Sequence, residues 1–186
     1  MVRYAPDHKE KTRAAIVAAT AERIRSGGLE GVGVASIMET CGLTHGGFYA
    51  HFKSRDALLA AAIESMFSTA TDAVGRFEEK HGDKALERYV DFYLSPRHRD
   101  DCVGGCPVPV ISAEVQRAAP VVKAAFEAGL NRLADRLAKL MGPSAGRKGA
   151  LALLGEMAGV LTLSRVVGDA KASGELLAGA RKAVGV

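Results

Sequence analysis

At 186 residues, 48% hydrophobic but only 5% aromatic and without tryptophan, the chain has room for one ordinary domain or for a small one plus a moderate one, and its composition favours helices over sheets. Three cysteines, an odd number, argue against a disulfide framework, and with no secretory leader or membrane-spanning window read from the sequence, a cytoplasmic chain with no membrane partner is expected. The net charge of +4 is a weak indicator: residues 1–56 hold eight Lys/Arg against six Asp/Glu, less than the usual basic footprint of a nucleic-acid binder.

The first helix is predicted over residues 9–26, where Ile16, Ala19, Thr20 and Ile24 recur at helical spacing and Gly27-Gly28 stops the run. Val34, Ile37, Met38 and Cys41 stand at i, i+3, i+4 and i+7, one apolar stripe of a second helix. Gly42 turns the chain, Thr44 is placed to cap a third helix with its hydroxyl, and Phe48 and Phe52 fix that helix to a core. Two short helices joined at Cys41-Gly42-Leu43-Thr44 form a helix-turn-helix pattern. In such a unit the second helix enters a DNA major groove and the first lies across the backbone.

Ser54 is expected to cap a fourth helix, with Asp56 in its favourable first turn. Leu59, Ile63, Met66, Phe67, Ala70, Val74 and Phe77 share one broad face of it, and His81-Gly82 ends it. Leu86, Tyr89, Val90 and Tyr93 mark a fifth helix, broken before Pro96. Residues 95–109 read as irregular, with three prolines, two glycines and two cysteines. Helices follow at about 107–118 and 120–141, the latter with a stripe of Phe126, Leu130, Leu133, Leu137 and Leu140. Residues 149–167 are apolar almost all round and so buried on several sides, and Leu176, Leu177, Ala180 and Val184 define a last helix. The expected architecture is all-α with about nine helices: a helix-turn-helix head over residues 1–53 and a sensing and dimerisation bundle over 54–186.

The N-terminal part resembles the TetR/AcrR family of bacterial transcriptional repressors. The matching residues are Thr12-Arg13, Ile16, Ala19, Gly28, Val34, Ile37, Gly42-Leu43-Thr44, Gly46, Phe48-Tyr49, His51-Phe52, Ser54 and Ala57-Leu58-Leu59. The resemblance covers roughly residues 9–60. It implies a homodimer, joined through the last two helices in an intersubunit four-helix bundle, in which a ligand in the body alters the separation of two DNA-binding heads. It also implies that Thr44, Tyr49, His51, Lys53 and Arg55 meet phosphates, joined by Thr12 and Arg13 from the first helix, while His45, Gly46 and Ala50 face the groove. The competing reading makes Tyr49 and His51 ordinary helix-surface residues. The chain departs from the family pattern at Gly33, where a capping Ser or Thr is common, at His45, where Lys or Arg is common, and at Gly46-Gly47. Each of those last two glycines costs a helix ~1 kcal/mol relative to alanine.

Residues 97–107, Arg-His-Arg-Asp-Asp-Cys-Val-Gly-Gly-Cys-Pro, are the second place where chemistry is expected. Pro107 suits the first position of a helix, which places Cys106 at its N-cap, where the dipole stabilises a thiolate. Such a thiol senses electrophiles or oxidants, with Cys102 able to resolve it as a disulfide. A Gly-Cys step before the sixth helix is also similar to a group of the family that senses reactive electrophiles. The competing reading is a small buried cysteine at a helix start, with Cys102 incidental. His98, Cys102 and Cys106 recur every four residues, but Gly104-Gly105 and Pro107 interrupt a helix there and no fourth ligand is near, so no metal is expected. For a small-molecule inducer the candidate lining is Phe67, Phe77, Tyr89, Phe92, Tyr93, Phe126, Met157 and Leu161, although residues at such helical spacing are usually core.

The leading expectation is therefore a non-enzymatic dimeric repressor, without a cofactor, that binds a double-stranded operator and is released by a small molecule or an electrophile. Two alternatives stand beside it: a helical-bundle enzyme using Cys106, for which no nucleophile–base–orienter set or cofactor motif is visible, and a DNA-binding adaptor without a ligand.

Overall fold

The computed structural model describes residues 6–101 and 104–184. Among the described residues there are nine α-helices, two 3-10 helices and no strand, as the all-α expectation requires. The helices are α1 (Pro6–Gly27), α2 (Val34–Thr40), α3 (Arg55–His81), α4 (Ala85–Tyr93), α5 (Pro96–Asp100), α6 (Val108–Val115), α7 (Pro120–Met141), α8 (Gly146–Val166) and α9 (Ala170–Val184). The 3-10 segments are His45–Ala50 and Gly82–Lys84.

Local chemistry explains most of these boundaries. Gly28 ends α1 with φ +69°, a conformation that costs an L side chain about 1–2 kcal/mol. The Ser54 hydroxyl accepts the Ala57 N–H at 3.1 Å, the expected cap of α3. Gly33 leaves α2 without a side-chain cap bond. Thr44 differs from expectation, because its hydroxyl makes no cap bond and its carbonyl instead accepts the Gly47 N–H at 3.0 Å. The third helix of the head is correspondingly a tight 3-10 turn, the local response to two adjacent glycines with low helix propensity.

Residues 95–101 are more ordered than their composition indicated. Ser95 caps α5 by accepting the His98 N–H at 3.2 Å, and Pro96 follows at a first-turn position where its missing N–H costs nothing. Pro107, by contrast, precedes α6, since the helix begins at Val108. Cys106 therefore stands one position ahead of the N-cap instead of at it.

The chain divides into two compact units, residues 1–66 with 111–127, and 67–110 with 128–186. The first has a core of Ile16, Ile24, Ile37, Met38, Phe48, Phe52, Leu58, Ile63 and Met66, joined by Ile111 and Val122. The second is built around Phe67, Val74, Tyr89, Tyr93, Leu133, Leu137, Leu154, Met157, Leu161 and Leu177. Gly129 lets α7 lie directly on Phe67, with an added Cβ only 2.3 Å from the ring.

One composition-based expectation is corrected. Windows within Arg55–Tyr93 and Gly146–Val166 reach mean hydropathies of 1.2 and 1.3, so both stretches are long and apolar enough to cross a membrane by length and composition. The shares of those windows buried inside the chain are 44% and 39%. Alanine- and leucine-rich helices packed in a bundle pass the same test as a membrane span.

Candidate nucleic-acid interface

The head presents two chemically distinct sides. Phe48 and Phe52 are buried and stack with ring centroids 5.8 Å apart, pinning the 3-10 segment from beneath. His45, Gly46, Tyr49, Ala50 and Lys53 face outward, and Tyr49 is 69% exposed. The turn before the segment is held by the Leu43 N–H to Met38 O bond at 2.8 Å and by Gly42 at φ +69°. The Tyr49 ring makes edge-on contacts with Phe48 at 5.3 Å and His45 at 6.4 Å. Gly46 is not demanded by the fold, since an added Cβ there would meet nothing within 4 Å.

A groove of about 420 Å³ runs beside this segment, lined by His8, Lys9, Thr12, Leu43, Ala50 and His51. It gathers Thr12 and His51, both anticipated, with His8 and Lys9, which sequence reasoning missed. Their spacing carried the signal: Lys9 and Arg13, like His8 and Thr12, stand four apart on α1 and share its surface. Burial lowers the His51 pKa below its usual 6.5, and the Lys9 and Arg13 charges lower it further. Its Nδ1 is buried and has no hydrogen-bond partner among the described residues. The Arg13 guanidinium lies 4.8 Å from the Phe52 ring centroid, which fixes a cation at the rim.

Arg55 is placed differently from its neighbours. Its Nε donates to Val32 O at 2.8 Å and its Nη2 to Leu29 O, so the guanidinium holds the α1–α2 connection from within. A second inward tie acts on the same connection: Glu114 of α6 accepts the Leu29 N–H at 2.7 Å.

A family model for bacterial regulatory proteins, tetR family, matches residues 16–62, which hold the Thr44–Arg55 part of this interface but not His8, Lys9, Thr12 or Arg13. An HTH-type transcriptional regulator of Bacillus subtilis, YvdT, is 32% identical over 92 residues. That similarity spans 46% of this chain and 46% of YvdT, so the chain matches about half the length of that relative. The similarity of the N-terminal stretch is thus to bacterial regulators of the tetR family.

The fold of the chain is similar along nearly its whole length to solved structures of transcriptional regulators. The reduced form of Escherichia coli NemR superimposes with TM-score 0.79 at 19% identity, covering 94% of this chain and 95% of NemR. A TetR transcriptional regulator from Chloroflexus aurantiacus gives 0.77 at 20% identity, covering 96% and 94%.

In the second unit, Cys106 is only 4% exposed and is not in a disulfide. Cys102 lies outside the described residues. The Cys106 amide donates to His98 Nε2 at 3.2 Å, so that amide is occupied by an imidazole and not left open at a helix end. Burial, with the Cys106 thiol as neighbour, pushes the Tyr89 and Tyr93 phenols well above their usual range. His98 engages both ring nitrogens with backbone groups, Nδ1 lying 2.8 Å from Tyr93 O. It therefore has no lone pair to offer a metal. Phe67, Tyr89, Tyr93 and Met157 are buried side chains of the second unit, Phe126 is a half-buried residue of the first, and Phe77 and Phe92 pack on each other at 5.5 Å.

Proposed function

We propose that the chain is a homodimeric repressor that occludes a promoter by placing two His45–Ala50 segments in successive major grooves of a near-palindromic operator. The carrying observation is the split around that segment: Phe48 and Phe52 are committed to the core, while Tyr49, His45, Gly46, Ala50 and Lys53 are left exposed. Tyr49, Lys53, Thr44 and the His51–Lys9–Thr12 groove suit phosphates, which set the register. Gly46 and Ala50 allow close approach and methyl contact with bases. Arg55 acts in this reading by holding the loop that carries α2, with Arg13 at the rim of the groove.

A second copy is the proposed cover of α8 and α9. Gly155, Gly159, Leu163 and Val166 lie along one outward stripe of α8, and Leu176 and Gly179 along one of α9. Val166 is 75% exposed, and a Cβ on any of the three glycines would meet nothing within the chain. The chain's own packing does not need glycine there, whereas a closely apposed partner helix does.

The proposed signal is an electrophile reacting at Cys106, or a small molecule that opens a site among the buried aromatics of the second unit. Either favours a form whose heads no longer fit the operator.

Fluorescence anisotropy on the DNA upstream of the chain's own gene tests the reading. Specific binding that weakens as salt rises is expected, and Tyr49→Ala or Lys53→Ala lowers affinity for every sequence. Absence of a preferred site, or unaltered binding by both variants, overturns it. N-ethylmaleimide releases the operator from the parent chain but not from Cys106→Ser if that thiol is the signal site, and equal release removes the cysteine from the proposal.

A further inference from the structure

The cysteine segment is folded around one imidazole. His98 is 2% exposed, with its ring stacked on Phe92 at 5.2 Å and set edge-on to Tyr93 at 4.6 Å. A carbonyl only accepts, so the Nδ1 facing Tyr93 O carries the proton, and an amide only donates, so the Nε2 facing Cys106 is bare. The Gly105 backbone presses on the same edge of the ring, where a Cβ would come within 3.0 Å of Nε2. The neutral Nδ1–H tautomer is thus the one form that satisfies both neighbours. An imidazolium has two donors and would set an N–H against the Cys106 N–H.

We infer that His98 is a protonation-controlled lock on residues 104–107: neutral, it holds Cys106 inside, and protonated, it lets the segment and its thiol out. The groups facing the ring set the range in which the lock works. Burial disfavours the charged ring most, the Tyr93 carbonyl opposes that, the Arg165 charge from α8 adds to it, and Asp101 opposes it. Arg165 also donates to the carbonyls of His98 at 3.2 Å and Arg99 at 3.0 Å, holding the last turn of α5. Further polar groups on these elements include the Tyr89 and Tyr93 phenols on α4, Arg99 paired with Asp100 on α5, and Ser173 of α9 bonded to Arg99. The balance leaves the closed-state pKa below 6.5. A ring released to solvent returns to about 6.5. Opening therefore takes up a proton and is favoured by acid. The lock governs exposure of the thiol whether or not that thiol is the signal site.

The test is the protection of Cys106, its alkylation rate in urea divided by that in the folded full-length protein at the same pH, read on fragment ions that separate it from Cys102. Protection is expected to fall by about tenfold per pH unit below 6.5 and to level off at the closed-state pKa. Cys41, half-buried in the other unit, should keep constant protection in the same samples. His98→Gln, which keeps one donor and one acceptor, should flatten the profile. A flat parent profile, an unchanged profile in His98→Gln, or a parallel loss at Cys41 overturns the lock. Nitrogen-15 NMR of the parent imidazole gives a reading that needs no variant: an Nε2–H tautomer, or a titration that does not coincide with the end of the loss, overturns it equally.

Discussion

The contact between Gly28 and Glu114 makes a quantitative prediction about the head. At φ +69° an alanine at position 28 costs about 1–2 kcal/mol from backbone sterics alone. Its Cβ would also stand 2.6 Å from both carboxylate oxygens of Glu114. The carboxylate must swing away, and the Leu29 N–H loses its 2.7 Å partner. A hydrogen bond to a charged group contributes about 1.5–3 kcal/mol, but here water reaches the group through an adjoining cavity of about 320 Å³, so about 1–2 kcal/mol is the better figure. Gly28→Ala should then destabilise by about 2–4 kcal/mol and Glu114→Ala by about 1–2. The double variant should cost no more than Gly28→Ala alone, because the bond is lost only once. Urea unfolding at one fixed protomer concentration measures the cycle, with an expected coupling of about 1–2 kcal/mol. Additivity within about 0.5 kcal/mol would refute the argument that the glycine exists to admit the carboxylate.

Three further outcomes follow from the same geometry. Gly46→Ala should raise the stability of the head by up to about 1 kcal/mol while lowering operator affinity, since the open space over Gly46 is the space proposed for a base edge; a variant that is more stable and binds equally well removes the close-approach argument. Gly159→Leu, harmless to the single chain by its surroundings, should shift the species seen by analytical ultracentrifugation from dimer to monomer, and an undisturbed dimer would place the interface elsewhere. His51 should make DNA binding take up a proton. Its pKa lies below 6.5 in the uncomplexed chain, a neighbouring phosphate raises it, and affinity therefore increases as pH falls through the bound-state value toward the lower one. Binding by His51→Gln should lose that slope, and retention of the slope would assign the proton to another group.

What was legible in the residues divides by the range of the interactions involved. Helix spacing placed α1, α2, α3 and α4 within a few residues, because each carries an apolar stripe and a local stop such as Gly28 or Gly82. The Ser54 cap was readable for the same reason, being an interaction between residues three apart. The Ser95-Pro96 start of α5 carried an equally local signal, masked by a proline- and glycine-rich neighbourhood that reads as loop. Contacts distant in sequence left no local trace: Glu114 on Leu29, Arg165 on the end of α5, and the Cys106 amide on His98. The outward set around Tyr49 was legible only because the head follows a family pattern, whereas His8 and Lys9 needed the fold of α1 beside the 3-10 segment.

The uninformative net charge has a structural explanation in how arginine is used. Arg55 ties the α1–α2 connection, Arg165 closes the last turn of α5, Arg181 donates to Leu94 O at 2.9 Å, and Arg99 reaches Ser173 at 2.9 Å. A guanidinium is well suited to this work, because its fork can bridge two carbonyls while its charge stays part-hydrated. Arg55, Arg99, Arg165 and Arg181 all enter the sequence count as basic residues, yet their bonds bind α4, α5, α8, α9 and the head loop internally. The cations proposed for DNA are local ones, Lys9 in the His51 groove with Arg13 and the exposed Lys53. A small salt dependence is the consequence. With few phosphates neutralised per head, the slope of log affinity against log salt should be correspondingly shallow, and Lys53→Ala should reduce it by about one per head.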